Sequence, residues 1–86
     1  MPEISRFYGI VIKMYYADHS PPHFHAEYAE YEALVDIRTL AVISGHLPAR
    51  ATGLVAEWAT LHQADLMSVW ESARRSQALQ RIDPLP

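Results

Sequence analysis

Apolar and polar residues alternate with a period of two through the first half of the chain. They recur at helical spacing through the second half, and the change falls near Gly45 to Pro48. Tyr8, Ile10, Ile12, Met14 and Tyr16 alternate along one face of a first strand, and Gly9 marks a bulge within it. Asp18 to Pro22 is turn chemistry: Asp, Ser and two prolines. The next two strands pair by a face argument. With a turn centred on Ala29-Glu30, Tyr28 faces Tyr31, Ala26 faces Ala33, and Phe24 faces Val35. All six then share one face, which must be the core face, because a slip of one residue would expose them. A short fourth strand is expected over about 41–44, ending at Gly45.

Pro48 suits the first position of a helix. Ala51, Leu54, Val55, Trp58 and Leu61 follow at helical spacing, and Leu66, Met67, Trp70 and Ala73 continue the stripe. One straight helix over the 28 residues from Pro48 to Arg75 would run ~42 Å. A globule of this chain length is only ~30 Å across, with a radius of gyration of ~12 Å. Asp65 would also fall on the apolar stripe of a continuous helix. A break at about His62-Gln63 is therefore predicted, giving a helical hairpin. The expected architecture is one α+β domain over 1–86. An N-terminal antiparallel sheet of three to four strands (about 4–44) precedes a C-terminal helical hairpin (about 48–75). In the tail (77–86), Ile82 and Leu85 are placed to dock on the sheet, with a short C-terminal strand as an option.

Composition narrows the function classes. Half of the residues are apolar and a fifth are charged, as in ordinary globular proteins. There is no cysteine, which excludes disulfides, thiolate metal sites and cysteine catalysis, and fits a cytoplasmic setting. No leader-like N-terminus or membrane-spanning run is present in the sequence. The net charge of −3 argues against nucleic-acid binding by the isolated chain. Arg74, Arg75 and Arg81 read as a solvated helix end rather than a phosphate-binding patch.

The chemically distinctive segment is Asp18-His19-Ser20-Pro21-Pro22-His23-Phe24-His25. His23 and His25 leave the same face of a strand, opposite Phe24 and Ala26. In the register above, His23 lies across from Asp36, His25 from Leu34, and Glu27 from Glu32. His19 can fold back from the stiff Pro-Pro turn. Three readings are compatible with this pattern. His19, His23 and His25 can hold a divalent metal such as Zn²⁺, Ni²⁺ or Fe²⁺, which would also relieve the Glu27–Glu32 repulsion. Alternatively His23 and Asp36 form a catalytic acid/base pair. In the plainest case the histidines only tie the turn. His62 reads as a junction residue or a fourth imidazole, and Trp58 and Trp70 as core. The tyrosines crowd the sheet, with Tyr15 projecting away from the core. No phosphate loop, nucleophile elbow or nucleotide fingerprint is present.

The chain also resembles a known family. The carrying residues are Ser5-Arg6-Phe7-Tyr8-Gly9-Ile10, Asp18-His19 with Pro21-Pro22-His23-Phe24-His25, Tyr31-Glu32-Ala33, and Glu57-Trp58-Ala59 with Leu61-His62, Leu66 and Trp70. Together they resemble a bacterial domain-of-unknown-function family, number 4160, from Ile4 to about Pro84. Members of that family are often encoded beside a second small domain. The resemblance therefore implies a protein partner or homo-oligomer, and a protein-interaction module of a toxin–antitoxin type. It supplies no catalytic residues. The alternative expectation is a small metal-dependent or His/Asp hydrolase or nuclease centred on the histidine turn.

Overall fold

The computed structural model describes residues 2–86. Within them, strands β1 (Glu3–Phe7), β2 (Ile10–Lys13), β3 (His23–Tyr28), β4 (Tyr31–Asp36) and β5 (Val42–His46) precede helices α1 (Ala49–Leu61) and α2 (Gln63–Arg74). The sheet is a simple antiparallel meander in the order β1-β2-β3-β4-β5. The α+β class and the helical hairpin are as expected from the sequence; the strand count is higher.

The extra strand comes from a hairpin where a bulge was expected. Phe7 pairs with Ile10, leaving Tyr8 and Gly9 as a two-residue loop with φ values of +50° and +81°. Positive φ at both positions is what a tight twisted hairpin requires. Tyr8 therefore stands exposed at the tip, while Ile10, Ile12 and Met14 are fully buried. Tyr16 also leaves the core face and is exposed. A further irregularity, at Ile4, turns Ser5 toward Ile12 and the core, and the Ser5 hydroxyl is buried there without a hydrogen-bond partner.

β3 and β4 pair in the expected register throughout, with Ala29 at φ +52° in the turn. β5 covers Val42–His46, slightly beyond its expected span, and carries an irregularity opposite Leu34–Val35. Gly45 sits at φ +78° against the Glu32 carbonyl, where a side chain would collide.

Both helices bury one stripe against the core. Trp58 packs on Phe7 and Phe24, and Val55, Leu66, Val69 and Trp70 complete the layer. The chain breaks at His62, which ends α1 and begins α2. Gln63 donates to the Ile37 and Arg38 carbonyls, fixing the start of α2 to the end of β4. The hairpin keeps the molecule at 33 × 26 × 23 Å, where a straight helix would not fit. The tail is not a strand. Ile82 donates one hydrogen bond to the Ile4 carbonyl, Trp58 Nε1 donates to the Asp83 carbonyl, and Ile82 and Leu85 are buried.

Candidate functional site

The opposite face of the sheet carries charge. Lys13 and His25 are neighbours across β2 and β3, as are Val11 and Glu27, and Glu27 faces Glu32 across β3 and β4. The two carboxylates do not share a counterion. Lys13 Nζ lies 2.9 Å from Glu27, while Glu32 takes His25 as its partner. The hydrogen bond from Lys13 to Glu27 is also the main reason the lysine pKa is raised.

At the start of β3 this face closes into a cluster. The connection from β2 is pinned on two sides: the Ala17 amide donates to the Ala73 carbonyl of α2, and the Ile37 amide donates to the Pro22 carbonyl. Its Ser20–Pro21 peptide is cis. The pinned loop carries Asp18 over the two imidazoles of β3. Asp18 Oδ2 is 3.0 Å from His23 Nε2 and 3.3 Å from His25 Nε2. One donor atom from each of the three residues lies within 4.8 Å of the others. The His23 ring is buried between the rings of Trp70 and His25, each with its centroid 5.3 Å away. Tyr15 meets the His25 ring edge-on at 4.4 Å.

The other nitrogen of each ring is also engaged. His23 Nδ1 is 2.8 Å from the Pro21 carbonyl oxygen, and His25 Nδ1 is 3.3 Å from Glu32 Oε2. Both partners can only accept, as can Asp18, so each ring meets an acceptor at both of its nitrogens. With both protons at Nδ1, the two Nε2 lone pairs turn toward Asp18, itself an acceptor. Three acceptors thus converge on one point. That arrangement can share one cation. Burial, the largest single influence on Asp18, pushes its pKa up. The His19 amide and the two imidazoles together outweigh burial and hold the carboxyl below its ordinary value.

Sequence reasoning joined a different set. His19 is exposed, and the contact it contributes is its backbone amide, donated to Asp18 Oδ1. Asp36 lies opposite His23 in register, but its Oδ1 accepts the Arg38 and Thr39 amides and shapes the β4–β5 turn. His62 stays at the helix junction, paired with Asp65 and with its ring tilted 45° against Trp58. The group the sequence reading missed is Asp18. The available signal was that the acid is the residue in this segment able to complement two imidazoles.

A family model described as a domain of unknown function (DUF4160) matches residues 9–71, most of the chain. The chain belongs to the DUF4160 family. No curated protein and no solved structure matches it. The DUF4160 match begins in the β1–β2 hairpin and ends in α2, so it takes in Asp18, His23, His25, Glu32 and Trp70. Among the described residues, no helix is long and apolar enough to cross a membrane.

Proposed function

We propose that this domain binds a divalent transition-metal ion through Asp18, His23 and His25, with Zn²⁺ the first choice. The observation that carries the reading is the orientation of the two imidazoles. Each has its Nδ1 tied to an acceptor and its Nε2 aimed at one carboxylate oxygen. Histidine ligands of metals are ordinarily oriented in this way, by a carbonyl or carboxylate on the second nitrogen. The nitrogen-to-oxygen separations of 3.0 and 3.3 Å also suit a tetrahedral edge, which is about 3.3 Å for metal bonds of ~2.0–2.1 Å. Two imidazoles and one carboxylate make a donor set suited to Zn²⁺, Ni²⁺ or Fe²⁺.

Three protein donors leave at least one position for water or for a group from another molecule. A metal-bound water is the route by which the site would act as a hydrolase. A nuclease version is less well supported, because the nearby Lys13 is already neutralised by Glu27. The test is long-range proton–nitrogen NMR of the imidazoles during Zn²⁺ addition to metal-stripped protein. The Nε2 resonances of His23 and His25 shift, and those of His19, His46 and His62 do not. Unchanged Nε2 resonances at saturating Zn²⁺ would remove the proposal.

An interaction module is the second reading, favoured by β5. This edge strand is exposed at every residue, carries no Lys, Arg, Asp, Glu or Pro, and leaves Val42 and Ile43 42% and 45% exposed. Uncharged edges of this kind are open to strand addition. A toxin–antitoxin-type pairing, as the family resemblance implies, would use such an edge. Size-exclusion chromatography of wild type against Ile43→Lys checks it: self-association or partner capture should be lost in the variant.

A further inference from the structure

A second region carries chemistry that the metal reading does not touch. Where the β1–β2 hairpin meets the start of α1, a cavity of about 240 Å³ opens between Tyr8, Ile10, Tyr28, Pro48, Arg50 and Leu54. Its wall is mostly apolar, with two tyrosine rings and one cation, and no acidic residue lines it. We propose that this cavity binds a small monocarboxylate whose apolar body is about the size of a benzene ring.

Size comes first. A protein cavity of about 150 Å³ is enough to hold benzene. The 240 Å³ here leaves room for a ring and a short carboxylate arm. A nucleotide or an oligosaccharide would not fit the volume.

Charge gives the head group. Arg6, Arg74 and Arg81 each have a carboxylate within ion-pair distance. Among the described residues Arg50 has none, although it lies at a cavity mouth. The first turn of α1 holds no acidic residue and no side-chain cap, so its field adds to that of Arg50. One guanidinium offers a planar fork that matches one carboxylate. A ligand with several phosphates would need more cations than the cavity supplies.

Local costs point to the same place. Tyr8 occupies a hairpin position that favours Asn, Asp or Gly, and it holds φ +50°. It is also 58% exposed, so burial in the free domain does not account for an aromatic residue there. Its hydroxyl donates to the Pro86 carbonyl, which holds the ring at the cavity rim. Gly9, next to it, lets the Tyr28 ring approach: a Cβ there would stand 3.3 Å from the Tyr28 Cε1 atom. Departures from local preference that converge on a cavity are the usual mark of a binding surface.

The experiment is an amide NMR titration of the full chain with phenylacetate, and with 2-phenylethanol as the uncharged comparison. Phenylacetate should bind saturably, with millimolar affinity and shifts confined to the Tyr8–Ile10 hairpin, Tyr28 and the first turn of α1. Arg50→Gln should weaken phenylacetate roughly tenfold while leaving 2-phenylethanol unchanged. Leu54→Trp should fill the cavity and abolish binding of both. Non-saturable or dispersed shifts overturn the proposal. So do equal losses of both ligands in Arg50→Gln, or wild-type affinity in a folded Leu54→Trp. Arg50 is exposed, so its variant tests the head group even if Leu54→Trp does not fold.

Discussion

Two imidazole–carboxylate groupings sit in this small domain, and they differ in how they are built. At the helix junction, His62 Nδ1 meets Asp65 Oδ2 at 3.2 Å, three residues apart on the same stretch of chain. The Asp65 side chain is 66% exposed. Such a pair is local, running from the break residue to the first turn of α2, and water screens its exposed acid. At the start of β3, Asp18 reaches His23 and His25 across a pinned loop, and Glu32 reaches His25 from a different strand. The Asp18 side chain is only 24% exposed, and those of His23 and His25 are 6% and 14% exposed, against 18% for His62. A pair three residues apart needs no explanation beyond its closeness in the chain. A convergent, mostly buried one requires the fold to hold three acceptor-facing groups together, which is costly unless something satisfies them.

Breaking the convergent group should have the larger effect. Asp18→Asn removes the anionic donor and should reduce Zn²⁺ affinity more than about a hundredfold, measured by calorimetry on metal-stripped protein. Glu32→Ala leaves all three donors but frees the His25 ring. The expected loss is smaller, between about tenfold and a hundredfold. Its stability should hardly change, because removing Glu32 also ends the repulsion across to Glu27. His62→Ala should leave Zn²⁺ affinity at the wild-type value and lower folding stability by about 1–2 kcal/mol in urea titrations, from the weak ion pair and the lost contact with Trp58. Equal losses of metal affinity in His62→Ala and Asp18→Asn would erase the distinction between the two groupings.

The smallest effect belongs to a third cluster, around Glu3. Arg6 and Arg81 hydrogen-bond Glu3 and hold its carboxyl at about 2, down from an ordinary 4.5. Folding therefore gains from an ionised Glu3 at and above pH 4.5. That gain is lost as the pH falls from 4.5 toward 2. In Arg6→Gln the Glu3 titration, followed by carboxyl NMR, should move up toward its ordinary value.

The sequence carried the β3–β4 register completely, because Phe24, Ala26 and Tyr28 oppose Val35, Ala33 and Tyr31 and a slip would bury charge. The break at His62 was equally legible from length and from Asp65. The Tyr8-Gly9 hairpin was not. Tyr8 lies two residues before Ile10 and so continues its alternation, whereas the turn puts Phe7, three residues before Ile10, on the core face. Asp18 was hidden for a different reason. Period-two reasoning orients residues within strands, and it says nothing of a side chain returning over a Pro-Pro loop. The loop brings Asp18 inward and leaves its neighbour His19 outside. Asp36, by contrast, has the right register and spends its carboxylate on its own turn.

The most direct test of the metal assignment is elemental analysis of untagged protein, wild type beside Asp18→Asn and His25→Ala. Wild-type protein should carry close to one equivalent of transition metal per chain after equilibration with Zn²⁺ and gel filtration, and both variants should lose it while staying folded. Wild-type protein that emerges free of metal, or variants that retain a full equivalent, would contradict it.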